Sequence, residues 1–479
     1  MVLLSVTWNR TFSSIRELSV AGAGGEAGLF RDPDFCTDAD ALPAGLPDDF
    51  KICAWKRPHE LSPKPRMFVG GASRSDVVQG ALGDCWFLSA CAAVAQNQEL
   101  VKQVIPLGQV LCGEGYSGAL TFRFWRLGHW ETVRIDDRLP VDDSGQLLYA
   151  RAAHPDEFWV PLLEKAFAKF HGGYAHLQGG QRSEGLLSLS GLTVQDETVA
   201  DWDPEGLFKV LERETRRHAL ITCAATGPFK KGLAGEHSYS VTGARRVRLG
   251  KGAGEEVRLV RVRNPFGRCP DAEWSGAWRD GDSRWDEIDQ PTKDSMEFKV
   301  EEDGEFWMEL NDFTSNFKHI TFATKKPVEM DDAKYCEVLH GSWEKGISAG
   351  GNQSDMKMFA TNPQFSLIVN EADEEDDECS VVLELIQEND RQKCRCLEDI
   401  ALFIYEAAGP AAQRLSAEQL AGKPEWGEGH EHLGRSAVTY KESLPRGAYV
   451  LIASTFRPDR PRAFLLRAHS RRPVQLRAL

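Results

Sequence analysis

Between Gln79 and Val94 the chain passes from a glycine-bearing loop, Gln79-Gly-Ala-Leu-Gly-Asp, directly into the apolar run Cys85-Trp-Phe-Leu-Ser-Ala-Cys-Ala-Ala-Val. A run of that composition is stable only as a core helix, and the loop ahead of it places Cys85 in its first turn. A thiol there feels the partial positive charge of the unsatisfied backbone N–H groups, which favours thiolate and lowers the pKa. Gln79 adds a side-chain amide donor on the approach loop, positioned with the Cys85 backbone N–H to hold an oxyanion. The competing reading is a structural cysteine opening a core helix. Residues further along the chain decide between the two.

A thiolate nucleophile needs a base and a third group to orient that base. His237 stands in Gly235-Glu-His-Ser-Tyr-Ser-Val-Thr-Gly, at the start of a stretch that alternates as a strand through Val241 and Val247. Asn264 follows the next strand, Val257 to Arg263, and precedes Pro265 and Gly267, so a turn presents its side chain at the strand end. His237 comes 152 residues after Cys85 (237 minus 85) and Asn264 comes 27 after His237. Order and spacing match those of papain-like proteases, where His and Asn lie roughly 130–150 residues past the Cys.

The motifs around these three residues resemble the calpain family of calcium-regulated cysteine proteases. Those that carry the resemblance are Gln79-Gly-Ala-Leu-Gly-Asp-Cys-Trp, Ile135-Asp-Asp-Arg-Leu-Pro, Glu157-Phe-Trp with Leu163-Glu-Lys-Ala-Phe-Ala-Lys, Gly235-Glu-His-Ser-Tyr-Ser-Val-Thr-Gly, Arg263-Asn-Pro-Phe-Gly and Asp303-Gly-Glu-Phe-Trp-Met. Agreement extends from about residue 27 to about residue 470. The resemblance implies Cys85 as nucleophile, His237 as general base and then acid, Asn264 as its orienting partner and Gln79 as oxyanion donor. It places Trp86, Gly235 and Phe266 at the substrate cleft. Phe266 departs from the family, which usually has Trp there as a wedge between the halves of the core; a phenyl ring is smaller and lacks the N–H donor.

Calcium is the cofactor the resemblance implies, and as a hard cation it takes six to eight oxygens. One site would use Asp76 and Glu157 with the carbonyls of Val69 and Gly71. The second would use Glu273, Asp280, Asp303 and Glu305 with the carbonyl of Glu301. No EF-hand pattern is present in the sequence, so calcium control is expected from the protease core itself, without a small regulatory subunit.

The expected fold is α+β: a papain-like two-lobed core followed by an antiparallel β-sandwich. The expected divisions are an extension over 1–26 with a Gly/Ala-rich lead-in, a mainly helical nucleophile lobe over 27–195, a mainly β lobe carrying His237 and Asn264 over 196–326, and the sandwich over 327–479. An amphipathic helix is expected from Asp156 to Phe170, with Leu162, Leu163, Ala166, Phe167 and Phe170 at helical spacing. Short strands are expected at Phe365–Val369, Ser380–Ile386, Ala401–Tyr405, Ala448–Ala453 and Ala463–Arg467. Thr361-Asn-Pro-Gln-Phe and Phe456-Arg-Pro-Asp-Arg resemble the calpain sandwich. The stretch with Gly227, Pro228, Gly232 and Gly235 reads as a loop beside the cleft, shorter than the gating loop of familiar calpains.

With 42% apolar and 27% charged residues, the composition is that of a globular protein. A net charge of −15 and no basic stripe exclude nucleic acid as a partner. The loop 371–378 carries seven acids in eight positions; it is either a solvated loop or, as the family suggests, a calcium- or phospholipid-responsive one. Eleven cysteines without a disulfide spacing, no basic-apolar leader and no membrane-length apolar run point to the cytoplasm. The expected function is calcium-dependent limited proteolysis of protein substrates, the alternative being a weak or inactive relative that acts as a calcium-, phospholipid- or protein-binding module.

Overall fold

A computed structural model describes residues 28–35, 52–250, 255–269, 272–373, 377–391, 397–427 and 431–479. The expected extension over 1–26 and Glu374 to Asp376 of the acidic loop lie outside the described residues.

The helix Cys85–Ala95 is buried along its whole length from Trp86 onward, as an all-round apolar sequence requires. It packs on the helix Trp159–Phe170, where Phe87 and Phe167 stack with ring centroids 3.9 Å apart. That second helix begins at Trp159 rather than at Asp156, because the Arg66 N–H donates to the Asp156 carbonyl and Arg66 bridges to Glu157. The hairpin of Ala119–Arg126 and His129–Asp136 and the helix Arg182–Ser190 complete this lobe.

The second lobe is one antiparallel six-stranded sheet in the order Glu305–Glu309, Glu256–Arg263, His237–Arg248, Leu220–Ala225, Phe317–Thr324, Thr193–Thr198. Val241, Val260, Val262, Ile221 and Phe322 bury one face of it. The strand ends at His237 and Arg263 adjoin the first lobe, so His237 and Asn264 stand at its border.

The C-terminal part is a sandwich of two four-stranded antiparallel sheets. One has the order Tyr335–Trp343, Arg462–Ser470, Glu378–Gln387, Ala437–Pro445; the other Ile400–Glu406, Gly447–Thr455, Gln364–Val369, Val474–Ala478. All five expected strands are present, each longer by one to four residues. Three strands escaped the sequence reading: Tyr335–Trp343, Ala437–Pro445 and Val474–Ala478. The first is exposed over most of its length, so the apolar alternation that marks a half-buried strand is missing.

The sandwich is docked onto the two preceding lobes through buried charge. Glu384 is fully buried and accepts from the Val194 N–H at 3.0 Å and from Arg467 at 3.2 Å. Arg467 also donates to the carbonyls of Gly191 at 2.9 Å and Leu192 at 3.2 Å. Removing one partner of such a pair strands the other in a dry interior. We expect Arg467→Ala to lower unfolding stability by about 3–5 kcal/mol in urea denaturation, and Glu384→Gln in that background to recover part of the loss.

Candidate active site

The loop that delivers Cys85 runs close to its neighbours. A Cβ on Gly80 would lie 2.1 Å from the Tyr149 carbonyl oxygen, so only glycine fits there. Asp84 occupies the helix N-cap but makes no cap bond with its side chain. The carboxyl instead turns inward beside Glu164, which accepts from the Ala150 N–H at 3.1 Å. Burial pushes the Asp84 carboxyl up to about 7 and raises Glu164 well above the ordinary carboxylate range, which disfavours two charges side by side under the helix.

Cys85 is half-buried at the helix start. Its thiol is pushed up, not down, by burial; hydrogen bonding from the Ser238 N–H and hydroxyl works against that shift, and charge on Asp84 adds to it. The helix terminus therefore loses to desolvation in this state, which corrects the expectation of a lowered thiol pKa. Ser238 belongs to the other lobe and directly follows His237, so the thiol lies against the strand that carries the base.

The His237 Nε2 lies 2.9 Å from Asn264 Oδ1. The same oxygen accepts the Phe266 N–H at 3.0 Å, while Asn264 Nδ2 donates to the Ala272 carbonyl at 3.1 Å. Those bonds fix which end of the amide faces the ring, so Nε2 carries the hydrogen and Nδ1 keeps its lone pair. Phe266 covers the ring with centroids 4.2 Å apart and planes at 30°. Burial holds His237 down to about 4, against the opposing pull of the Asn264 bond. Thiol and imidazole are thus both neutral at rest.

Gln79 is buried, and its Nε2 donates to the Leu82 carbonyl at 2.7 Å, leaving its second amide hydrogen uncommitted. Its backbone N–H donates across the lobes to the Pro265 carbonyl at 2.8 Å. Trp86 is not at the cleft surface: it is 1% exposed, and its indole N–H donates to the Leu177 carbonyl at 3.0 Å. A side chain one position past the start of a core helix turns inward with that helix. Gly235 sits in a turn where a Cβ would meet the Gly227 carbonyl oxygen at 1.6 Å, and the same loop closes through a bridge between Lys230 and Leu233.

Asp76 and Glu157 come together: Glu157 accepts from the Val69 N–H at 2.8 Å, and burial with the Asp76 charge pushes it up to about 7. Asp76 accepts from the Ser73 N–H at 2.6 Å and the Trp159 indole at 3.1 Å, and burial raises it too. In the second set, burial and mutual repulsion push Glu273 up to about 7 and Asp280 up to about 6, and burial raises Asp303. Asp280 accepts from the Glu301 N–H at 3.0 Å, and Glu273 Oε1 is buried without a hydrogen-bond partner. Glu305 is set apart from that group. Arg74 grips its carboxylate with bonds of 2.8 and 3.1 Å and Thr242 donates at 2.7 Å, so its pKa is held down despite burial. Among the described residues, no three His, Cys, Asp or Glu side chains are grouped closely enough to hold a metal ion as they stand. The donor chemistry of Glu157, Glu273 and Asp280 fits a hard cation, since these half-buried carboxylates are raised by burial and by neighbouring acids; Asp76 and Asp303 also feel the Arg263 charge, and the present position of Glu305 does not fit.

Ser238, Asp84, Glu164 and Arg263 are participants that sequence reasoning missed. Ser238 adjoins His237 in its motif, the one signal that pointed to it; the others act through burial, which a single sequence does not display.

The family model described as "Calpain family cysteine protease" matches residues 30–324, and "Calpain large subunit, domain III" matches residues 339–469. The chain belongs to the calpain family. It is 36% identical over 470 residues to a calpain of Schistosoma mansoni, covering 94% of this chain and 61% of that protein. It is 35% identical to human calpain-8, covering 93% of this chain and 66% of that protein. With the human calpain-1 catalytic subunit the identity is 36%, over 87% of this chain and 60% of that protein. The chain therefore spans less than two thirds of the length of these calpains.

The buried histidine makes a pH prediction. Its folded pKa of about 4 lies below the ordinary value of 6.5, so the unfolded chain takes up its proton first. Stability from this group is complete above 6.5 and falls as pH drops from 6.5 to 4. The loss is at most about 3 kcal/mol. Urea unfolding across that range should show a shallower pH slope for His237→Gln than for the parent.

Proposed function

We propose that this calpain is a calcium-dependent cysteine endopeptidase that performs limited proteolysis through an acyl-thioester. The observation that carries the reading is the His237–Asn264 bond of 2.9 Å, with the imidazole fixed as the Nδ1 base in the strand against which Cys85 lies. Cys85 attacks the scissile carbonyl as its proton passes to His237 Nδ1. The free amide hydrogen of Gln79 and the Cys85 N–H take up the oxyanion. His237 then returns the proton to the leaving amine and next activates the water that hydrolyses the thioester. Asn264 holds the imidazole through both proton transfers, and Phe266 keeps water off their bond.

Calcium would be held by Asp76 and Glu157 with the Val69 and Gly71 carbonyls, and by Glu273, Asp280 and Asp303 with the Glu301 carbonyl and Glu305 once freed from Arg74. When bound, the cation supplies positive charge that offsets these carboxylates. The remaining partners follow the same reading: protein substrates in the cleft and a phospholipid surface for the acidic loop 371–378. Cys85, Cys91, Cys112, Cys223, Cys269, Cys336 and Cys379 carry free thiols, which supports a reducing, cytoplasmic setting. Among the described residues no helix is long and apolar enough to cross a membrane.

A second reading, a binding module with a silent site, draws on the neutral Cys85 and His237 and on Phe266. Casein cleavage by the purified chain, titrated from chelator to millimolar calcium with Cys85→Ala as control, separates the two. We expect calcium-dependent cleavage that the substitution abolishes; no cleavage by folded protein at any calcium level would overturn the self-sufficient protease in favour of the module or of an obligatory activating partner. Phe266→Trp should raise the half-maximal calcium concentration a few-fold if ring size sets the wedge. Superimposable titrations would remove that role from Phe266.

A further inference from the structure

The segment from His176 to Arg182 lies between the nucleophile loop and the sandwich. On its inner side the Gly83 N–H donates to Gln178 Oε1 at 2.9 Å, and the Gly179 N–H donates to the Gly83 carbonyl at 2.9 Å. The Trp86 indole bond to the Leu177 carbonyl fastens the same segment to the first turn of the nucleophile helix.

On its outer side stands one guanidinium. Arg391 follows the sandwich strand Glu378–Gln387 and reaches across the domain junction. It donates to the carbonyls of His176 at 2.6 Å and Gly179 at 2.9 Å, and forms an ion pair with Glu184. Its guanidinium carbon lies 4.7 Å from the centroid of the Trp86 ring. A Cβ on Gly180 would fall 2.3 Å from Trp86 and 2.6 Å from Arg391, so nothing larger than glycine fits between them. Glu184 is 2% exposed and has no solvent to replace its partner. Gly179 thus receives Arg391 at its carbonyl and holds Gly83 with its N–H, two residues before the thiol.

We propose that Arg391 is a positioning residue for the protease site: through this one side chain the sandwich fixes the Gly83–Cys85 loop and Trp86, and so sets the reaction rate as well as the stability of the domain junction. The proposal rests on the reading of Cys85 as the nucleophile. A planar fork is needed because one terminal nitrogen serves both carbonyls while the other faces Glu184, and an ammonium cannot span all three while stacking on the indole.

The test uses the full chain and three variants: Arg391→Met, Arg391→Lys, and Arg391→Met combined with Glu184→Gln, which removes the stranded acid. Four readouts are compared: melting temperature, kcat and KM on a fluorogenic peptide, the rate of Cys85 alkylation by iodoacetamide followed by mass spectrometry, and hydrogen exchange over residues 79–86. We expect the double variant to recover the melting temperature lost by Arg391→Met. Its kcat and alkylation rate should stay about 10- to 100-fold below the parent, with KM little changed and exchange over 79–86 faster. Arg391→Lys keeps the buried pair charged and should be intermediate in rate. A double variant that turns over, alkylates and exchanges like the parent would reduce Arg391 to a stabilising contact and overturn the proposal. Should the parent cleave nothing, the proteolytic reading fails by itself, and alkylation and exchange still decide whether Arg391 positions the loop.

Discussion

A buried guanidinium governs how the two lobes of this calpain meet. Arg263, the residue before Asn264, is 1% exposed and donates to the carbonyls of Val77 at 3.0 Å and Ser75 at 3.2 Å in the opposite lobe. Burial works against its charge, and the carboxylates of Glu305, Asp303 and Asp76 compensate. Asp76 belongs to one candidate calcium set, Asp303 and Glu305 to the other. The charge that locks Asn264 to the nucleophile lobe is therefore balanced by the same groups that would take the cation, which ties lobe registration to the electrostatics of both sets.

The distinction between what the sequence displays and what it hides follows this division. Cys85, His237 and Asn264 were legible because each sits where a pattern changes, at a loop-to-helix step or a strand end, and local pattern encodes such steps. The helix around Phe167 and the strands around Leu383 and Leu451 were legible for the same reason. The position of Trp86 was not, because the chain signals an aromatic without saying which way its helix faces. Nor was the pairing of Asp84 with Glu164, which needs two distant carboxyls to be buried together. The grip of Arg74 on Glu305 spans 231 residues and leaves no trace in spacing. Fold class and the placement of Cys85, His237 and Asn264 lie in local sequence, while the electrostatic state of each group is a property of the packed core.

That electrostatic state sets the cost of charging Cys85 and His237. A thiolate–imidazolium pair requires two charges to form in a place where burial already raises Cys85 and lowers His237. The opposing forces present are short-ranged: hydrogen bonding from Ser238 to the sulfur, and the Asn264 carbonyl facing the imidazole Nε2–H. A charged Asp84 would make matters worse; burial, which pushes that carboxyl up to about 7, reduces this cost, while the bond from Glu164 works the other way. The carboxyl pair thus bears on the charge state of the Cys85 thiol.

The sandwich enters the same balance from the far side of the helix. Glu384 with Arg467 and Glu184 with Arg391 are buried ion pairs at the domain junction, each also bonded to backbone of the nucleophile lobe. Buried pairs contribute little net stability compared with apolar contact, but they tolerate only one geometry, because a shifted partner leaves a desolvated charge. Two such pairs at separate points along the lobe hold the sandwich in register rather than merely attached. A displacement of the sandwich would then be felt first where a pair also carries backbone of the site, at Gly179 and Gly83, and only afterwards in the stability of the whole.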